Sequence, residues 1–216
     1  MKPSGKRPYD STKRRAAAAE TRRRIAHSAR RLFAWHGYGA TSIEAIAADA
    51  AVAVPTFYAI YRSKRALLFA LLEAAEAQAD VGSLQAALRA TADPRQQLRL
   101  FVSFNCRFYR QAADLVEVAR GAGSTEPDLL ALWKKGERRR LRGQAPLVRA
   151  LTALGALREG LREHDALDIL WSLSGADTYR LFVTERGWKP AKYETWLADS
   201  LEALLLRPVS PVRGLP

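Results

Sequence analysis

The chain has next to no cysteine. Cys106 is the single one in 216 residues, so no disulfide can close within the chain, and a reducing interior is expected. The three histidines, His27, His36 and His164, stand far apart, and none has the spacing from a cysteine or another histidine that a metal site needs. Neither a metal nor a cofactor is expected. A glycine-rich phosphate loop, a nucleophile elbow and a pair of carboxylates on one marked helix are also missing, which argues against an enzyme. No apolar run reaches the roughly eighteen residues of a membrane span, and the N-terminal stretch is basic and polar where a signal peptide would be apolar. The expectation is a cytoplasmic protein with no membrane partner. No segment alternates as a strand would, so the chain reads as all-α, with about nine helices.

What is present is apolar content, 48% of the residues, and positive charge: 35 Lys and Arg against 22 Asp and Glu, a formal +13. Residues 1–65 hold 14 of the basic residues and 4 of the acids, which puts +10 there and leaves +3 for the other 151 residues. A polyanionic partner is implied for the N-terminal third alone, as nucleic-acid binding would require.

Within that third, TSIEAIAADAAVAVPTFYAIYRSK, Thr41 to Lys64, reads as two short helices joined by a tight turn. Thr41 and Glu44 have the spacing of a capping box and start the first helix. Ile43, Ile46, Ala47 and Ala50 give it one apolar face. Pro55 suits the first turn of the second helix, which begins near Val54 and carries Phe57 and Tyr61 for packing, with Thr56 and Tyr58 as hydroxyl donors. Upstream, Ile25, Ala29, Leu32 and Phe33 recur at helical spacing from Glu20 to Trp35. Arg22, Arg23, Arg24, Arg30 and Arg31 lie off that stripe as a basic flank for phosphates, and Gly37 and Gly39 form the loop to Thr41.

The run VAVPTFYAIYRSKRALL, and residues 21–68 as a whole, resemble without a gap the DNA-binding signature of the tetracycline-repressor (TetR) family of bacterial transcription regulators. Ala51 departs from it, since the family usually has glycine in the turn; a non-glycine residue at positive φ costs roughly 1 kcal/mol. The resemblance implies phosphate contacts from Thr41 or Ser42 and from Tyr61 and Lys64. It implies base reading by the second helix, whose exposed side presents Ala53, Val54, Pro55, Thr56 and Tyr58 to the major groove. No Arg, Lys, Asn or Gln lies between Ala53 and Tyr61, so recognition is expected to lean on thymine methyls against Val54, Pro55 and Thr56 and on DNA shape.

The expected organisation is a flexible basic arm over 1–19, with helix over Lys13 to Ala19 continuing into the next helix as the alternative, a helix-turn-helix domain over 20–65, a helical effector-binding and dimerisation domain over 66–206, and a disordered tail over 207–216. In the third segment a helix capped by Ser63 runs to about Asp80 and breaks at Gly82 and Ser83. A short helix follows, and Asp93-Pro94 starts one that reaches residue 111 and continues as a second piece to Arg120. Glu126-Pro127 starts the next, which Pro146 should kink or split. The last two helices span about 165–185 and 191–206. Phe101, Phe104, Asn105 and Phe108 share one face, and with Trp133, Trp171 and Tyr179 they are candidates for lining an effector cavity. Such a stripe is more often plain core, and Asn105 stands out because a buried amide needs a partner. Cys106 reads as packing in preference to a thiol sensor. The Lys134–Arg142 charge run reads as a solvated face. The final helix pair resembles, more loosely, the pair by which TetR regulators dimerise, implying an interface through Leu170, Ser174, Trp196, Leu197, Leu201 and Leu204.

The function these features imply is a ligand-responsive repressor that binds a palindromic operator in double-stranded DNA as a homodimer and is released by an unknown small-molecule effector. The alternative is a helical protein whose basic module binds a membrane surface or a protein partner without reading DNA.

Overall fold

Alanine and arginine are strong helix formers, and they start the first helix well before its apolar stripe begins. In the computed structural model, which describes residues 11–123 and 126–208, α1 runs Ser11–Ala40 and leaves helical geometry at Gly37, whose φ of 77° suits glycine. Residues 11–19 are therefore helix, the alternative allowed for Lys13 to Ala19 in place of a flexible arm; residues 1–10 lie outside the described residues. α2 (Ile43–Asp49), α3 (Val54–Tyr61) and α4 (Lys64–Ala79) follow. The described residues divide into two units that part between Leu71 and Leu72, inside α4.

In the first unit α2 packs on both α1 and α3. Its buried apolar residues include Ile25, Ala29 and Phe33 of α1, Ile46 and Ala47 of α2, Phe57 of α3, and Leu67 and Leu68 of α4. Burying each of the larger ones contributes about 1.5–3 kcal/mol.

The second unit contains α5 (Val81–Arg89), α6 (Pro94–Ala122), α7 (Pro127–Ala153), α8 (Glu163–Leu173), α9 (Ala176–Tyr179), which runs on as a π-helical segment Arg180–Glu185, and α10 (Pro190–Leu205). Local chemistry sets the boundaries. Ser63 accepts from the Ala66 amide ahead of α4, and Asp93 from the Arg95 amide ahead of α6. The break after α4 falls at Asp80, in the left-handed region at φ 55°, and Asp80 also accepts from the Ser83 amide to cap α5. α6 is one helix of 29 residues where two pieces were expected. α7 continues through Pro146, because Pro146 and Arg142, the residue whose carbonyl loses its partner, are both exposed and water can take the lost bond.

α6 packs against α7 and α10, and α7 against α8. Leu170, Leu197 and Leu201 belong to the core this creates, and Ser174 is fully buried beside them. Those residues were expected at a dimer interface, and the structure corrects that: the stripes of α8 and α10 are consumed inside the subunit. Leu204 is 42% exposed and Trp196 half-buried. Arg207 is no free tail either, since its amide donates to the Ala156 carbonyl at 3.0 Å and its Nε to that of Leu157 at 3.1 Å; the tail residues 209–216 lie outside the described residues. Leu157 and Leu206 form an isolated antiparallel bridge, and there is no strand among the described residues. Nor is any single described helix long and apolar enough to cross a membrane.

Candidate functional site

The first unit is built around the start of α2, the turn after it, and the outer face of α3. Ser42 holds the extended N-cap geometry, and its hydroxyl accepts from the Ala45 amide at 3.0 Å. Thr41, expected as cap and phosphate contact, is 3% exposed and donates back to the Gly37 carbonyl at 2.8 Å. Both expectations for Thr41 are corrected, since its hydroxyl closes the loop after α1 and the exposed hydroxyl at this helix start is that of Ser42.

In the turn, Ala51 has a φ of 50°, the left-handed value anticipated for a position usually filled by glycine. The carbonyls ending α2 are met by Arg24 of α1, whose Nε donates to the Ala50 oxygen at 2.9 Å and whose Nη2 donates to the oxygens of Ala50 and Ala51. A cation there also suits the negative end of the helix dipole. Arg31 pairs with Asp49, and its hydrogen bond, with help from Ser28, holds that carboxyl below the usual carboxylate range. Arg23 pairs with Glu20. Arg23, Arg24, Ser28, Arg31 and Asp49 border an open cleft of about 460 Å³ that His27 and Ala51 also line. Part of the basic flank that sequence assigned to phosphates thus supports the domain itself. The role of Arg24 was missed, although its place next to Ile25 on the stripe was a signal.

α3 begins after Ala53, in extended geometry, with Pro55 in its first turn. Phe57 is buried, and the ring of Tyr61 packs on it with centroids 5.9 Å apart. Burial pushes the Tyr61 phenol up, and its hydroxyl lies 3.5 Å from the Arg22 carbonyl, so Tyr61 is half anchored in the domain. Ala53, Pro55 and Tyr58 are exposed, Tyr58 by 46%, with Val54 and Thr56 half-buried beside them. Lys64 departs from its expected phosphate contact. Its Nζ donates to the carbonyls of Tyr38 at 2.7 Å and Thr41 at 2.8 Å and lies 4.3 Å from the centroid of the Tyr38 ring. The ammonium is turned onto the loop between α1 and α2.

In the second unit, Phe101, Asn105 and Tyr179 are buried, and Phe104, Phe108, Trp133 and Trp171 are half-buried. Phe101 and Tyr179 belong to the core, with Phe108 and Trp133 packed against it. Asn105 finds a partner at Ser174, whose carbonyl accepts from its Nδ2 at 3.1 Å. Gln144 donates to the Ser174 hydroxyl at 3.1 Å, and Arg140 lies over the Trp171 ring at 4.8 Å. Arg140 was read as part of a solvated charge run, and Gln144 carried no pattern of its own. Burial pushes the Cys106 thiol up to about 12. Among the described residues no three His, Cys, Asp or Glu side chains gather as a metal site would need.

Residues 25–71 match the model of the bacterial regulatory proteins of the tetR family. That match marks a TetR-type DNA-binding domain in this stretch of the chain. The matched stretch ends at the residue where the first unit ends. No curated protein matches the chain. Solved structures do. A protein from Saccharomonospora viridis described as a transcriptional regulator, crystallised with choline, superposes with a TM-score of 0.67 at 22% identity over 88% of this chain and 100% of the other. A TetR-family regulator from Mesorhizobium loti gives 0.62 at 21% over 88% and 98%, and SmeT in complex with triclosan gives 0.68 at 19% over 90% and 96%. At these identities the likeness is one of fold. A helix-turn-helix DNA-binding domain followed by a helical body is the architecture they share with this chain.

Proposed function

We propose that the chain is a repressor that binds a palindromic operator as a homodimer and leaves it when a small molecule occupies the second unit. The observation that carries the reading is the geometry of the first unit. A capped α2 braces α3 so that Pro55, Tyr58, Val54 and Thr56 share an outer face, in a segment with most of the excess positive charge. That face offers hydroxyls and apolar groups but no amide or guanidinium for bidentate base pairing, which favours readout through thymine methyls and duplex shape. The complexes of its structural neighbours with choline and triclosan support a small-molecule effector. Such an effector shifts DNA binding only by its differential affinity for the DNA-competent and incompetent states.

Footprinting on the DNA flanking the chain's own coding region should yield a two-fold symmetric protected site. Replacing thymine by uracil across one half-site should weaken binding measurably, and tolerance of uracil at every position would remove the methyl readout. Equal affinity for all duplexes, with no protected site, would remove the repressor reading.

A further inference from the structure

One side chain of α1 holds the turn from α2 into α3 from outside. α2 closes with two nested bonds, the Ala51 amide donating to the Ala48 carbonyl at 3.0 Å and the Val52 amide to that of Ala47 at 2.9 Å. Ala51 makes the reversal at a φ of 50°. Such a closure turns the chain sharply, and α3 leaves it bent by 109° from α2. Glycine holds that conformation unaided, whereas alanine holds it against its own Cβ. The carbonyls of Ala50 and Ala51 lie past the last bond of α2. Arg24 donates to both, through Nε and Nη2 to the first and through Nη2 to the second, so three of its five N–H bonds are engaged there. The same face of α1 goes on to grip the end of α2. Ser28 and Arg31, at i+4 and i+7 from Arg24, both hydrogen-bond the Asp49 carboxylate.

We infer that Arg24 is the positioning residue of α3: its guanidinium, spanning two successive carbonyls, fixes the left-handed turn at Ala51 and with it the angle at which the outer face of α3 meets a duplex. The inference rests on the reading that this face binds an operator, and it names a residue that decides specificity without touching DNA. The planar fork suits the task, because two of its nitrogens address neighbouring oxygens at once where an ammonium is a single point. Only Val52 and Ala53 separate Ala51 from α3, so a change of angle at the turn passes directly to Val54, Pro55, Thr56 and Tyr58. Contacts to base edges tolerate displacements of about 0.5 Å, whereas attraction to phosphates acts over a Debye length of about 10 Å. Loss of the clamp therefore removes the sequence-dependent part of binding first. An arginine placed on a phosphate would instead add to the affinity for every duplex.

Arg24→Gln removes the charge and the fork, Ala51→Gly removes the strain, and the double variant completes the cycle. Each is measured as the full chain, far below its thermal midpoint, on two probes: the duplex that the parent protects in footprinting, and a shuffled duplex of the same length and composition. Arg24→Gln should weaken binding to the protected duplex about tenfold and to the shuffled one by less than about twofold, with the slope of log affinity against log salt unchanged. In the Ala51→Gly background the same substitution should weaken the protected duplex about threefold or less, because glycine keeps the turn without the clamp. The inference is overturned if Arg24→Gln binds both probes like the parent, if it weakens both equally, or if Ala51→Gly recovers nothing. A slope lower by about 1 marks Arg24 as a phosphate contact and overturns it as well. Should Arg24→Gln fail to fold, the double variant decides: folded and with the parent's preference between the probes it supports the clamp, and unfolded or without that preference it overturns it. A parent that prefers neither duplex removes the operator reading itself, while a clear preference that Arg24→Gln retains in full removes the clamp alone.

Discussion

Ala51 holds a φ of 50° in the turn between α2 and α3, where its Cβ crowds the backbone and glycine would not. Ala51→Gly should therefore raise stability by about 1 kcal/mol, read as a higher midpoint in thermal denaturation. Arg24 contacts main-chain oxygens there and stays in place in the variant; a lowered midpoint would show that the turn carries no such strain. Cys106 illustrates the same scale through burial. It is fully buried with its thiol pushed up to about 12, and because burial raises the value, the thiolate is scarce at neutral pH. Iodoacetamide should leave the native protein unlabelled and react only after denaturation, and fast native labelling would bring back a thiol-sensing role.

Among the elements, the α1–α2 loop and the start of α4 behave as one piece because Lys64 donates to the Tyr38 and Thr41 carbonyls. Lys64→Met should weaken DNA binding through misplacement of α2 while leaving the slope of log affinity against log salt unchanged. Loss of a true phosphate contact would lower that slope by about 1, and such a drop would return Lys64 to the DNA edge. The sequence showed a basic residue after α3 but had no means to show two carbonyls within its reach. The cap of α2 was equally ambiguous: two adjacent hydroxyls compete, and the loop at Gly37 takes Thr41 and leaves the cap to Ser42. α3 itself was legible, since Pro55 and the alternation of Phe57 with Tyr58 are local features. The continuity of α7 was not, because the cost of Pro146 depends on whether the orphaned carbonyl faces water.

At the scale of the molecule, an apolar stripe on a C-terminal helix can serve the subunit or a partner, and on α10 Leu201 and Leu204 differ in burial. Leu201 is buried in the core, so Leu201→Ala should cost about 2–5 kcal/mol of subunit stability. Leu204 is 42% exposed. Leu204→Glu should leave the subunit folded and shift the sedimenting species from dimer to monomer; a variant that stays dimeric would exclude this edge of α10 from the interface.

Charge segregation, the all-helical class, the helix pair α2 and α3 and the glycine-like turn were readable from the chain, because each arises from neighbours within a turn or two or from a sum over residues. The burial of Thr41, the inward Lys64, the Arg24 cap and the Asn105–Ser174–Gln144 junction required the packed molecule. Each joins residues distant along the chain, and a polar side chain's role there is set by which unpaired backbone or amide group the fold brings within about 3 Å of it.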